Sequence, residues 1–185
     1  MSSARLAWVS ELLKAEVEAG RIPGAVIAVA RRGKLVYYEA VGWRDKATNA
    51  PMQKDTIFSI ASMTKPMTSI AVMQLTETGR VVVSDPVGKY LPMLGNMRVA
   101  ASLDNPSETV AAARQMTVQD TLRHTSGLLY GGRGTSALHK LYPASSSRSG
   151  SSMTGSEFLA ALSALPLAYE PGKVWDYSLS VDVAG

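Results

Sequence analysis

Thr56-Ile57-Phe58-Ser59-Ile60-Ala61-Ser62-Met63-Thr64-Lys65-Pro66 is the stretch on which the reading of this chain turns. An extended run from Thr56 to Ile60 gives way at Ser62 to a helical pattern. Met63, Met67, Ile70, Ala71, Met73, Gln74 and Leu75 follow at helical spacing as far as Thr78, and Gly79 closes the run. Pro66 falls in the first turn, where a missing N–H is tolerated. Ser62 is therefore expected at a helix N-terminus, where unpaired amides and the positive end of the dipole favour a developing oxyanion. Ser62 and Lys65 form a Ser-x-x-Lys pair whose spacing of three puts hydroxyl and amine on one helix face. The pair alone decides little, because 21 serines and 8 lysines in 185 residues yield about one such pair by chance. On spacing alone, a helix-capping serine and a solvated lysine account for it better than catalysis does.

Upstream, Leu6, Val9, Leu12, Leu13 and Val17 predict an amphipathic first helix, with Ser2 or Ser3 as N-cap and Gly20 as the stop. Ala25 to Ala30 and Leu35 to Val41 flank the turn Arg31-Arg32-Gly33-Lys34 and read as an antiparallel hairpin, its first strand apolar enough to be central. Downstream, Val81 to Pro86 leads through Val87 to Pro92, a turn and a short helix, and then to a polar stretch around Asn105 and Pro106. Thr117-Val118-Gln119-Asp120 resembles a capping box, opening a helix that ends near His124 with Gly127 as terminator. Ala144 to Ser156, with seven serines and two glycines, has the composition of a flexible loop that borders the site entrance, and a helix follows to about Leu165. Glu170-Pro171-Gly172 turns the chain toward Tyr177, and Leu179 to Gly185 resembles the first turns of a helix.

No internal repeat or long linker divides the sequence. The expected organisation is an α/β region over 1–60, helix plus hairpin, and a mainly helical region over 61–185. Two strands alone make a poor sheet, so the chain is expected to be part of a longer polypeptide whose C-terminal half, as a separate or missing chain, supplies the other strands.

Composition excludes several classes of function. With 46% hydrophobic and 18% charged residues the chain has the makeup of a globular protein. Its longest apolar runs fall far short of the roughly 20 residues that span a bilayer, and no signal-peptide core opens it; a cytoplasmic protein without membrane partners is expected. The absence of cysteine removes disulfides, thiolate metal sites and a cysteine nucleophile. A net charge of +4 is scattered along the chain, which does not suggest nucleic-acid binding. Two histidines, with Asp85, Asp120 and Asp176 at no metal-like spacing, point to no metal site, and nothing implies a cofactor.

A nucleophilic serine needs a base, and neither Gly-x-Ser-x-Gly nor His-Glu-x-x-His occurs. A lysine or a lysine–tyrosine pair remains. Tyr177-Ser178-Leu179, reached through Glu170-Pro171-Gly172-Lys173-Val174-Trp175-Asp176, supplies a tyrosine, although a tyrosine near a tryptophan reads by itself as packing. His124 invites pairing with Ser126, but residues two apart at a helix end do not face each other, and a polar group beside the last carbonyls of the helix is the simpler reading.

Ser62-Met63-Thr64-Lys65, His124-Thr125-Ser126-Gly127 and Glu170-Pro171-Gly172 with Tyr177-Ser178, in this order and at these separations, resemble the class C β-lactamase and penicillin-binding-protein superfamily. The ending Tyr177 to Gly185 is most similar to its family VIII carboxylesterases. The resemblance covers nearly the whole chain and about half of a full family member. It implies an α+β, β-lactamase/transpeptidase-like fold, an antiparallel sheet flanked by helices plus a mainly helical region, with the active site between them.

It further implies that Ser62 attacks an acyl carbon, that Tyr177 as a phenolate takes the serine proton, and that Lys65 holds the phenolate. The Ser62 backbone N–H would form half of the oxyanion hole. Superfamily β-lactamases and peptidases usually carry Tyr-x-Asn, whose amide binds an acylamino group. Leu179 cannot make that bond, which favours esters over amide-bearing substrates. Tyr130 and Trp175, with Trp43, are candidates to line an acyl pocket. The expected function is hydrolysis of short-chain carboxylic esters, a small-molecule substrate, through an acyl-enzyme. A β-lactamase, D-stereospecific peptidase, acyltransferase or non-catalytic ligand sensor are the alternatives.

Overall fold

A computed structural model describes residues 2–144 and 153–185. The chain divides into two compact units, Met1–Ile60 and Ala61–Gly185.

In the first unit, helix α1 (Ser3–Glu18) starts on Ser2, whose side chain accepts from the Arg5 N–H, and Gly20 (φ 69°) takes the chain out of the helix. Strands β1 (Gly24–Arg31), β2 (Lys34–Asp45) and β3 (Ala50–Pro51) form an antiparallel sheet in the order β1-β2-β3. Arg32 and Gly33, both left-handed (φ 50° and 72°), make the two-residue turn whose twist suits a hairpin. Pairing runs from Gly24 opposite Gly42 to Arg31 opposite Lys34, with an irregularity between Val29 and Ala30. The apolar run of β1 had suggested a central strand. Instead β2 is central, because its longer course also pairs with β3, whose two residues carry no periodic signal. Helix α1 packs on β2, and the Ser10 and Tyr37 hydroxyls are hydrogen-bonded.

In the second unit, a 3-10 turn at Ala61–Met63 leads into α2 (Thr64–Glu77), and Gly79 (φ 72°) ends it. The predicted short helix after Val87 resolves into two 3-10 turns, Val87–Lys89 and Pro92–Leu94. The polar stretch around Asn105 is the connection of a small hairpin, β4 (Arg98–Ala100) with β5 (Thr109–Ala111), whose three-residue strands are too short to show alternation. Helices α3 (Val118–Leu122), α4 (Ala137–Leu141), α5 (Gly155–Ser163) and α6 (Ser180–Ala184) complete it. Most of the serine-rich stretch from Ala144 to Ser156 lies outside the described residues.

The core of this unit joins Leu94, Met116, Leu128, Leu129, Leu138, Leu162, Leu167 and Leu179, all fully buried. Each contributes about 2 kcal/mol of burial relative to exposure. By contrast α2 buries only Val72, and Met67, Ile70 and Met73 stand exposed along it.

A segment in extended contact joins the core to the site. The Ala168 N–H donates to Gly127 O (2.7 Å), Gly172 N–H to Thr125 O (2.7 Å), Asp176 N–H to His124 O (3.0 Å) and Leu179 N–H to Leu129 O (3.4 Å). The His124-Thr125-Ser126-Gly127 motif is thus the rail along which the Glu170 to Leu179 segment is laid. Its foot is the α3 capping box, in which Thr117 and Asp120 bond reciprocally. Burial opposes the Asp120 charge, yet the bonds it accepts from Arg114, Thr117 and Thr125 hold its pKa down at about 2. Gly172 (φ 85°) lies against the same Arg114 guanidinium, which a β-carbon at this position would displace.

Candidate active site

Ser62 sits in the 3-10 turn ahead of α2 and is exposed. In that geometry residues three apart eclipse one another, so Ser62 and Lys65 share a face across the junction of the two helical forms. The Ser62 N–H lies in the first turn, where amides have no intrahelical acceptor. Ala61, immediately before it, is held at φ 44°, a left-handed conformation that costs a non-glycine residue about 1 kcal/mol. Strain of this kind concentrates where a side chain must be presented in one direction.

Lys65 is the hub. Its Nζ donates to Asp182 Oδ2 on α6 (2.9 Å) and to the Tyr130 hydroxyl (3.2 Å), and the Tyr130 hydroxyl also reaches the Asp182 carboxylate (3.4 Å). The Lys65 and Asp182 side chains are only 14% and 11% exposed. Burial works against the ammonium, but the hydrogen bonds and charges of Asp182 and Tyr130 outweigh it and raise the Lys65 pKa above its ordinary value. Lys65 is therefore a cation at neutral pH. Tyr177 meets it through its ring, with Nζ 5.5 Å from the centroid, and the rings of Tyr130 and Tyr177 are stacked at 5.7 Å and 13°. The Arg133 guanidinium lies 5.0 Å from the Tyr177 centroid. His124 packs on Tyr177 at 4.5 Å, and Trp175 meets His124 edge-on at 6.5 Å.

The structure thus brings Lys65, Tyr130 and Tyr177 together, with Ser62 one turn from Lys65. Two expectations change. Tyr130, expected in an acyl-pocket wall, has its hydroxyl engaged by Lys65 and is half-buried; burial raises its pKa, partly offset by the Lys65 bond. Leu179, expected to touch substrate, is fully buried in the core at 0% exposure. It offers a substrate no surface, so the inference from Leu179 to ester preference falls. Leu179→Asn is expected to place an amide among apolar side chains and to destabilise the unit by about 3 kcal/mol, read as a lower urea midpoint at unchanged m; an unchanged midpoint would contradict the burial. Trp175, 66% exposed, remains open to a ligand.

Asp182 went unnoticed in the sequence. The available signal was an acid set among Ser180, Val181 and Val183, all buried, a position where charge is rarely tolerated without a partner. Among the described residues no three His, Asp or Glu side chains converge as metal ligands.

A serine at the head of a helix, a largely buried lysine one turn on and a stacked tyrosine beside it are set in a β-lactamase/transpeptidase-like fold. The chain belongs to the beta-lactamase family, whose profile matches residues 9–183. It is 38% identical over 169 residues to Protein Rv1367c of Mycobacterium tuberculosis, covering 91% of this chain and 41% of that protein. With Esterase EstB of Burkholderia gladioli it shares 34% identity over 166 residues, 89% of this chain and 40% of EstB. Among solved structures, EstCE1, described as a hydrolase with promiscuous acyltransferase activity, superposes with a TM-score of 0.81 at 29% identity, over 95% of this chain and 44% of EstCE1. The chain spans less than half the length of these relatives.

Proposed function

We propose that the protein carrying this chain hydrolyses short-chain carboxylic esters through an acyl-enzyme on Ser62. The observation that supports it most is the state of Lys65. An ammonium bonded to a carboxylate and a phenol has no lone pair with which to take the Ser62 proton, and the family resemblance gives that role to Tyr177 as a phenolate, whose ring centroid lies 5.5 Å from Lys65 Nζ. In this scheme Ser62 Oγ attacks the acyl carbon while its proton passes to Tyr177, and the Ser62 N–H supports the oxyanion. Collapse expels the alcohol, which recovers the proton from Tyr177. Water then attacks the acyl-enzyme by the same route and releases the acid.

The esterase reading draws on the similarity to EstB and EstCE1. The second oxyanion donor and the opposite wall of the pocket are assigned to the rest of a longer protein, a C-terminal half that the exposed apolar side chains of α2 suit as a partner. A second reading, acyl transfer to an alcohol, is favoured by the promiscuous acyltransferase activity described for EstCE1. Full-length protein given p-nitrophenyl butyrate with and without an added alcohol separates the two. Free butyrate as the main product in both cases is expected. Butyrate ester as the main product would make the protein an acyltransferase, and no turnover in either would make it a binding protein.

A further inference from the structure

Helix α3 ends at Arg123, and the next residue, His124, adopts φ 56°. The left-handed turn costs a β-carbon-bearing residue about 1 kcal/mol, and glycine, asparagine or aspartate would occupy it more cheaply. Histidine gains three contacts there. Its carbonyl accepts the Asp176 N–H at 3.0 Å, its Nδ1 accepts the Ser178 N–H at 3.1 Å, and its ring lies on the Tyr177 ring at 4.5 Å and 33°. The two accepted amides belong to the residues on either side of Tyr177. Beyond Ser178, its buried hydroxyl continues to Ser180 (2.5 Å) and Ser126 (2.7 Å), which pin the far side of the loop.

We infer that His124 is a positioning residue: its Nδ1 and its own carbonyl hold the backbone on both sides of Tyr177 and so fix where the phenol stands relative to Lys65 and Ser62. The inference rests on the reading of Tyr177 as the proton acceptor. It requires the tautomer with hydrogen on Nε2, since only an unprotonated Nδ1 can accept from Ser178. The surroundings favour that form. Burial lowers the His124 pKa most and the Lys65 ammonium lowers it further, while Asp182 and Asp176 act the other way; the Tyr177 and Trp175 rings also lie against it. The net pKa lies below the ordinary 6.5. As pH falls through that value Nδ1 gains a proton, donor faces donor at Ser178, and the clamp opens. Protonation of His124 then adds its own step to the acid limb of kcat, beside the step due to Tyr177.

The test uses full-length protein. His124→Asn accepts the left-handed turn and offers an amide oxygen to the Ser178 N–H without titrating in this range. It is expected to keep kcat at neutral pH within about tenfold of wild type and to lose the step in the acid limb that His124 contributes. His124→Phe retains a ring and removes the acceptor, and should lower kcat by tenfold or more with KM nearly unchanged. An acid limb unaltered in His124→Asn, or full kcat in His124→Phe, would overturn the inference. Nitrogen-15 spectra of the wild-type histidines give a reading independent of any variant's folding. A neutral ring with hydrogen on Nε2 and a pKa below 6.5 supports the clamp; the opposite tautomer removes it. Tyr177→Phe with undiminished turnover would instead remove the underlying reading, whatever His124 does.

Discussion

Full-length protein carrying Ser62→Ala should release no burst of p-nitrophenol from a p-nitrophenyl ester and should gain no acyl mass. Wild type should show both, with the added mass on the peptide containing Ser62. Where a nucleophilic serine is removed from a triad protease the loss in kcat is on the order of 10⁶, and a fall of that order is expected here, down to whatever the remaining binding groups sustain. The size follows from the turn at Ala61. The backbone accepts a left-handed residue directly before Ser62, and the serine emerges exposed at the first turn of a helical segment, with its N–H free of an intrahelical acceptor. Ser126, Ser178 and Ser180, by contrast, are fully buried and linked by hydrogen bonds through Ser180. Turnover in Ser62→Ala equal to wild type would mean that the acyl-enzyme forms elsewhere or not at all.

Lys65→Ala is expected to act twice. It removes the cation beside Tyr177, costing about 10² to 10⁴ in turnover, the range for groups that serve general acid–base steps. It also deprives the largely buried Asp182 carboxylate of its ion-pair partner, which costs about 3 kcal/mol of stability. The two losses separate in a double variant. Adding Asp182→Asn to Lys65→Ala withdraws the carboxylate charge that faced Lys65, so the urea midpoint should recover most of the way toward wild type while turnover stays low. Recovery of turnover in the double variant would show that Lys65 serves only to neutralise Asp182. Failure of the midpoint to recover would show that the pair is not what Lys65→Ala disrupts.

Much of this site was legible in the sequence wherever the signal was local. Ser62, the helix that follows it and the stop at Gly79 were readable because apolar spacing, proline placement and glycine each act within a few residues of one another. The capping box at Thr117 and Asp120 is of the same kind. Tyr177 was found through its neighbours in the chain. What escaped was non-local. Lys65 and Asp182 meet across most of the second unit, and no spacing rule links α2 with α6. His124 was read as a polar group beside the end of its own helix, since the amides it accepts belong to a loop more than fifty residues on. Leu179 misleads for the opposite reason: resemblance to the family's Tyr-x-Asn motif says what the residue replaces, while its apolar type, the plainer signal, says it belongs inside.

Immediately after Tyr177 come Ser178, Leu179 and Ser180, three consecutive residues with no exposed surface. The phenol therefore hangs beside a fully buried stretch of backbone, and its main freedom is rotation about its own side-chain bonds. Its ordering entropy is spent as the chain folds and is not charged again when a substrate arrives. Such a base leaves little room for gradual thermal softening of the site. Reactivity and the packing of the core around Leu128, Leu129 and Leu179 should survive warming together and disappear in the same narrow interval.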